Sequence, residues 1–262
     1  MHKKAVVLLM CLFMLFASTL TFASPVNLPE GIKDKEGLVL SKEGLLENVN
    51  LSISFLFDNL SKRKLKQGGK VKAKVLGGKI ALSLMDRLDI YTTLGQINDP
   101  EFRQTFDGSD VKFELEDKFI WSVGLAGTIY EWEDAGIQLF GDGNYRRASG
   151  MDYKAVVVDG TRYTKSELSG EVDAKWEEWQ VAFGVSKKFK YFIPYVGVKY
   201  SDVKASAKAT AGGIEYGDRD KSKRKVGPFL GVSIVPIKGV AIDLSGRFVD
   251  EQAFSVITRV KF

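Results

Sequence analysis

Beyond residue 23 the chain contains neither cysteine nor histidine, since its one Cys is Cys11 and its one His is His2. No disulfide, zinc site or thiol chemistry can be built from residues 24–262. After the N-terminus no apolar run reaches the length of a spanning helix. Proline is scarce, at 6 residues, and no Pro- or Ser-rich linker divides the chain into domains. Charge of one sign is also missing. Lys+Arg and Asp+Glu number 38 and 33, a formal charge of +5 that falls to +3 once Lys3 and Lys4 are removed, too mild to point to nucleic acid. What is abundant is 26 Gly, 17 Phe and 9 Tyr, with apolar residues scattered in alternation, a composition of strands and tight turns.

Residues 1–23 carry His2, Lys3 and Lys4, then an apolar run, then small residues at Thr21 and Ala23. This is the pattern of a secretory signal peptide cleaved between Ala23 and Ser24, with Cys11 as apolar filler. Residues 24–48 hold Pro25, Pro29, Gly31 and Gly37 among mixed charges and read as an N-terminal arm in the periplasm. The arm either folds into the lumen of a barrel or stays a disordered terminus. Residues 49–262 alternate with period two, as half-buried strands do.

Ten strand segments can be read. In the second, near residues 70–85, Val71, Ala73 and Val75 are odd whereas Ile80, Leu82 and Leu84 are even, so a β-bulge is expected at Gly77-Gly78. A similar change of phase is expected at Glu177-Glu178 in the sixth. Connections after the even strands are short, while those after the first, third, fifth and seventh are long and polar. Among them, residues 153–164 place Asp159-Gly160 between β-branched runs, which predicts a projecting hairpin. Alternating alanines before Gly212-Gly213 predict another. The aromatics Trp121, Tyr130, Trp132, Tyr145, Trp176, Trp179, Tyr191, Tyr200 and Phe248 stand near strand ends, where interfacial girdles form. The expected fold is all-β, an antiparallel up-and-down transmembrane barrel of ten strands. The count is eight if the first pair belongs to a periplasmic arm or plug.

The final segment presents Phe254, Val256, Thr258, Val260 and Phe262 on one face and Ala253, Ser255, Ile257, Arg259 and Lys261 on the other. Phe254, Val256, Val260 and the terminal Phe262 resemble the C-terminal assembly signature of bacterial outer-membrane β-barrel proteins, departing from it at Ile257, where glycine is common. As a pattern the whole mature chain is similar to small outer-membrane barrels of the OmpA, OmpX and OmpW kind. The resemblance implies Sec-type export, residence in the cell outer membrane, and contact with the outer-membrane assembly machinery, membrane lipid and lipopolysaccharide. Barrel proteases, phospholipases and acyl-modifying enzymes of this size class depend on a histidine that the mature chain lacks.

The inward face of such a barrel collects Lys79, Asp89, Asp142, Arg146, Glu178, Lys199, Asp243, Arg247, Arg259 and Lys261. Opposite charges in a narrow interior either pair into a closed core or line a narrow porin-like path, with the basic excess favouring small anions. The segment 60–74 reads as an external loop. Its seven basic residues form either a rim for phosphate or carboxylate groups of surface lipid or a solvated loop. Asp218 and Asp220 lack the further oxygen ligands of a calcium loop, no phosphate-binding loop occurs, and no nucleophile is paired with a base, so neither cofactor, metal nor enzymatic activity is expected. The expected role is structural or one of surface interaction through the external loops, with solute passage as the alternative. A soluble barrel for a hydrophobic ligand would need the charged face turned outward.

Overall fold

The computed structural model describes residues 24–33, 49–66, 68–106, 109–167, 171–211 and 214–262. The signal segment and its Ala23 junction lie outside the described residues. The strands are β1 (Val49–Lys64), β2 (Lys70–Leu84), β3 (Leu88–Phe106), β4 (Ser109–Leu115), β5 (Lys118–Trp132), β6 (Ile137–Met151) and β7 (Tyr153–Val158). They continue with β8 (Thr161–Thr164), β9 (Glu171–Lys187), β10 (Phe192–Ala211), β11 (Ile214–Lys221), β12 (Val226–Ile237), β13 (Val240–Arg247) and β14 (Glu251–Lys261). One short helix, α1 (Glu30–Lys33), precedes them.

Ten strands close a ring, in the order β1-β2-β3-β5-β6-β9-β10-β12-β13-β14 and back to β1. Every neighbour is antiparallel, and Phe55 faces Thr258 across the closing seam. Because β1 and β2 both belong to the ring, the count is ten and not eight. Closure leaves no edge, so each backbone group within the wall has a ladder partner. One end of the barrel carries short turns. Met85 and Asp86 (φ 53° and 51°) make one of them, a 3₁₀ turn at Glu133–Ala135 another, and Gly239 (φ 74°) helps make a third.

At the other end the strands outgrow the ring. The expected long loop at 60–74 is instead the continuation of β1 and β2 as a hairpin. Beyond Asn98, β3 exchanges β5 for β4; β4 then pairs with β7 and β7 with β8, giving a projecting sheet. Its tip is the Asp159-Gly160 turn, both residues at positive φ (49° and 87°), as that dipeptide favours. β10 and β11 form the second projection. Side chains at 206–220 lie outside the described residues, and with them Asp218 and Asp220.

The two expected changes of phase do not occur. β2 alternates without interruption from Lys70 to Leu84, and its ladder with β1 is regular from Val49↔Leu84 to Leu60↔Ala73. β9 is equally regular against β10 through Glu177-Glu178. What changes along these strands is the medium, not the face. In the lower part the outward side chains are apolar, such as Ile80, Leu82, Val181 and Phe183, while the inward ones are polar. Higher up, outward positions become Lys70, Lys72 and Lys74, and the inward ones become apolar. Leu60, Leu65, Val71, Val75, Ile97, Ile120, Met151, Trp176 and Val203 join there in a buried cluster. Trp176, expected in the girdle, therefore points inward. Gly77 has a different purpose from a bulge: it faces Gly95, and a Cβ on either would lie within 2.6 Å of the partner strand's carbonyl.

The apolar outer band is bounded by aromatic pairs. Trp121–Tyr145 and Trp179–Tyr200, with centroids 5.7 and 5.0 Å apart, mark its upper rim, and Tyr130–Trp132 and Phe189–Phe192, at 4.7 and 4.8 Å, its lower rim. The Trp121-to-Trp132 run covers about 36 Å of strand, or about 28 Å of height at a tilt of ~40°. That matches the hydrocarbon core of a bilayer.

Inside the lower part, Phe140, Tyr195 and Phe229 pack with centroids 6.2 to 6.3 Å apart, and Gly197 makes room for them. A Cβ there would lie 2.2 Å from Phe183 O and 2.5 Å from the Phe229 ring, whereas one on Gly143 would meet nothing within 4 Å. Gly197→Ala is therefore expected to destabilise the folded barrel by about 1–3 kcal/mol and Gly143→Ala to be tolerated. Urea titration of the heat-modifiable folded gel band compares the two.

Candidate functional site

The lumen is the site the wall encloses. All ten inward candidates, Lys79, Asp89, Asp142, Arg146, Glu178, Lys199, Asp243, Arg247, Arg259 and Lys261, lie on the inward face, none more than 5% exposed. They fall into tiers. In the upper tier Arg63, Arg146, Lys199 and Arg247 meet Asp58, Glu178, Asp250 and Glu251, four charges of each sign. Arg63 reaches Glu178 and Glu251, each at 2.9 Å, and donates to Ser201 O and Oγ at 3.1 and 2.8 Å. Asp58 accepts from Arg247 at 2.7 Å, Arg146 at 3.2 Å and Ser255 Oγ at 2.8 Å. Lys199 lies 2.9 Å from Asp250 and also contacts Glu251, which Arg247 Nε reaches at 3.2 Å. An isolated buried charge is costly, and a set of zero net charge whose members share several partners avoids that cost.

Arg63, Asp58, Asp250 and Glu251 are absent from the sequence-derived set. Even positions of β1 face inward up to Leu60, so straight counting puts Arg63 outside. A register shift between Leu60 and Arg63 turns it in. The re-phasing irregularity thus exists, but in β1 instead of β2. Asp250 and Glu251 sit where a connecting turn is read, and their one signal in the sequence is juxtaposition with an inward-facing last strand.

The middle tier joins the wall to the arm. Tyr91 Oη donates to Asp142 at 2.7 Å and accepts from Asn144 at 3.2 Å. Ser24 Oγ donates to Asn144 Oδ1 at 3.0 Å, Lys79 Nζ donates to Asn27 Oδ1 at 3.1 Å, and Gln180 donates to Asp142 at 3.3 Å. Below them Val26, Leu28 and Ile32 of the arm pack on Phe140, Ala182, Ile193, Tyr195 and Phe229. Residues 24–33 therefore lie within the lumen, one of the two arrangements the sequence leaves open. A cavity of about 10 Å³, room for about one water, is bordered by Ser24, Asn27, Lys79 and Arg146. In the lower tier Asp86 accepts from Asn50 at 3.0 Å and lies 3.2 Å from Lys261. Phe262 N donates to Leu51 O at 2.8 Å, seating the terminal aromatic on β1. Among the described residues no group of three or more His, Cys, Asp or Glu side chains is arranged to hold a metal ion.

No protein-family model matches the chain. It is 21% identical to the major outer membrane porin, serovar E, of Chlamydia trachomatis over 274 residues, covering 70% of this chain and 68% of that protein. To the serovar L1 porin of the same organism it is 22% identical, with the same coverage. Among solved structures it is similar to the outer membrane protease OmpT of Escherichia coli (TM-score 0.48, 10% identity, 85% of this chain and 100% of that one). OprG of Pseudomonas aeruginosa gives a TM-score of 0.36 at 12% identity, covering 82% and 96%. The chain is a small bacterial outer-membrane β-barrel protein. Its apolar band sits in the outer membrane, with the short turns at one end of the barrel and the projecting strands at the other.

On the projecting sheet the charges are partly or fully exposed and paired with one another, within a strand as well as between strands. Arg103 Nε donates to both carboxylate oxygens of Asp110 at 2.8 and 2.9 Å, and Glu114 lies 2.7 Å from Lys112 and 3.0 Å from Arg162. Lys154 reaches Asp117 at 2.9 Å. Bonding to these cations lowers the Asp110, Glu114 and Asp117 carboxyls below their ordinary values, the Arg103, Lys112 and Lys154 bonds being the respective leading causes.

The buried and the external charges respond differently to perturbation. Arg63→Ala leaves Glu178 and Glu251 short of a buried partner and is expected to cost about 3–5 kcal/mol, whereas Lys154→Ala on the surface should leave the urea midpoint of barrel unfolding nearly unchanged. Because the three external carboxyls have depressed pKa values, their contribution is complete above the unfolded values, about pH 4, and disappears as pH falls through the lower folded ones. Amide protection factors in β4 and β7 should therefore drop between about pH 4 and pH 2 while those of the barrel wall hold, as hydrogen exchange can resolve.

Proposed function

We propose that this protein is a non-enzymatic outer-membrane barrel with a closed lumen, whose working surface is the set of strands projecting beyond the membrane. One observation carries the reading. Arg63, Lys199, Arg247, Arg259 and Lys261 all face the lumen, and none is more than 1% exposed. A conducting path has to wet the charges that line it, and here the upper tier is engaged in its own pairs, the apolar cluster lies above, and the arm fills the space below. The lumen also lacks the arrangement of a hydrolase: it has no imidazole, and its upper-tier carboxylates are spent on guanidinium and ammonium partners. What remains accessible is the external sheet, with its cross-strand ion pairs and the exposed Tyr163. On this reading the outer-membrane assembly machinery reads the last strand, with Phe254, Val256, Val260 and Phe262 on its lipid face.

The second reading, a narrow channel for small solutes with a slight anion preference, is favoured by the porin names of the 21%-identical relatives. It requires residues 24–33 to leave the lumen and the upper tier to separate. Planar-bilayer conductance of the refolded mature protein decides between them. The closed-lumen reading expects electrical silence from the wild type and from a variant lacking residues 24–33. Stable unitary steps in the wild type would establish the channel instead. Steps seen only after removal of the arm would make the arm the gate and set aside an external role as the main one.

A further inference from the structure

Above Leu76 on the outward face of β2 the side chains change from apolar to cationic: Lys74, Lys72 and Lys70 continue the same face. On β1 the outward Phe55 and Phe57 give way to Asn59 and then, past the register shift, to Lys62 and Lys64. The ladder sets Lys64 directly opposite Lys70, a like-charge pair that weakens a sheet on its own. The adjoining β3 supplies two carboxylates, Asp99 at 3.1 Å from Lys74 and Glu101 at 3.9 Å from Lys72. Arg103, opposite Lys70 in the next ladder, is already neutralised by Asp110. Five lysines less two carboxylates leave a local excess of three positive charges, and Lys72 and Lys74 stay 55% and 52% exposed. Lys223, also exposed, is drawn to the same corner by its backbone bond to Lys64 O at 2.9 Å.

We propose that this lysine face binds the phosphate groups of outer-leaflet lipid. Height decides the source of the phosphate. A lipid whose acyl chains lie on Phe55, Leu76 and Ile80 has its headgroup region level with the lysines, which begin at Lys74, one side-chain step of about 7 Å beyond Leu76, and reach the Lys64–Lys70 pair at the third step. Lysine suits this ligand, because a flexible ammonium serves phosphate as a point charge without the planar fork that a protein carboxylate would favour. Lysine is also depleted in protein–protein interfaces, which argues against a protein occupant. Phosphate placed between Lys64 and Lys70 relieves their repulsion, so the feature that is unfavourable in isolation becomes favourable in an anionic leaflet. The inference depends on the chain's place in the membrane and not on whether the lumen conducts.

The test uses the full mature protein refolded in phosphatidylcholine vesicles and compares spin-labelled phosphatidic acid with spin-labelled phosphatidylcholine in the motionally restricted lipid shell. The wild type is expected to prefer the phosphate headgroup by at least about fivefold, the gain typical of a single lysine at an anionic surface. In the K64Q/K70Q/K72Q variant the preference should fall towards one, while the heat-modifiable folded band persists, since the change removes a repulsion. The K187Q/K188Q/K190Q variant, altered at the opposite end, should keep it. Equal association of the two lipids with the wild type, or a preference lost with the lower set and kept without the upper one, overturns the proposal. Inorganic phosphate in excess distinguishes the remaining source: if it erases the preference, the face is a free-anion site and the lipid assignment falls.

Discussion

Charge neutrality inside a space that excludes water is the constraint on which the rest of this barrel depends. Arg63, Arg146, Lys199 and Arg247 come from four different strands, and Asp58, Glu178, Asp250 and Glu251 from β1, β9 and the β13–β14 junction. Arg63–Glu178, Arg146–Asp58, Arg247–Asp58 and Lys199–Glu251 therefore tie together strands that the backbone ladder does not join. Glu251 contacts Arg63, Lys199 and Arg247, so displacing one strand would leave several buried charges short of partners at once. Such a set is a weak source of net stability compared with an apolar core of equal volume. It makes departures from one register costly, which matters in a wall whose identical ladders would tolerate slippage. The serine hydroxyls of Ser201, Ser222 and Ser255 complete the arrangement by satisfying guanidinium N–H groups that carboxylates do not reach.

The same wall is read by three media, and side-chain polarity follows the medium at each height. In the membrane, apolar side chains point out and charges point in. Above it the order reverses: lysines point out, and Leu60, Val71, Val75 and Trp176 point in. The inversion explains how strands as long as β2, β9 and β10 remain stable past the bilayer, since beyond the lipid they bury an apolar core as any water-soluble barrel does. The apolar cluster also roofs the charge network, and the low dielectric this creates strengthens the pairs beneath it.

Period-two alternation made the ten ring strands and all ten inward candidates legible in the sequence, because in a single-layered wall every residue faces either lumen or exterior. It misled where a change of medium imitates a change of phase. At Gly77-Gly78 and Glu177-Glu178 the apolar residues swap parity while the backbone does not, and sequence alone offers no way to tell which surface is wet. The converse error concealed Arg63. There the backbone does change phase, between Leu60 and Arg63, but within a run so rich in lysine that it reads as a loop. The hairpin at Asp159-Gly160 was legible because that dipeptide specifies a turn locally. The pairing of β4 with β7 was not, since it joins residues about forty positions apart through a contact with no local signature.

The wall and its contents are separable, and this reconciles the closed lumen proposed above with relatives named as porins. On that reading the closure is made by side chains and not by the wall's backbone: four long cations and four carboxylates occupy the upper lumen, and residues 24–33 the part below. Nothing in the ladder requires those residues, because an inward position of a strand accepts serine or glycine as readily as arginine so far as hydrogen bonding is concerned. A ten-strand ring with short side chains at the positions of Arg63, Arg146, Lys199 and Arg247 would keep its lipid face, its girdles and its terminal strand while losing its plug. Sequence similarity spread along the wall therefore carries information about membrane residence and little about conduction. Whether such a barrel is open is decided by a small number of inward residues, and in this chain those residues are long, charged and paired.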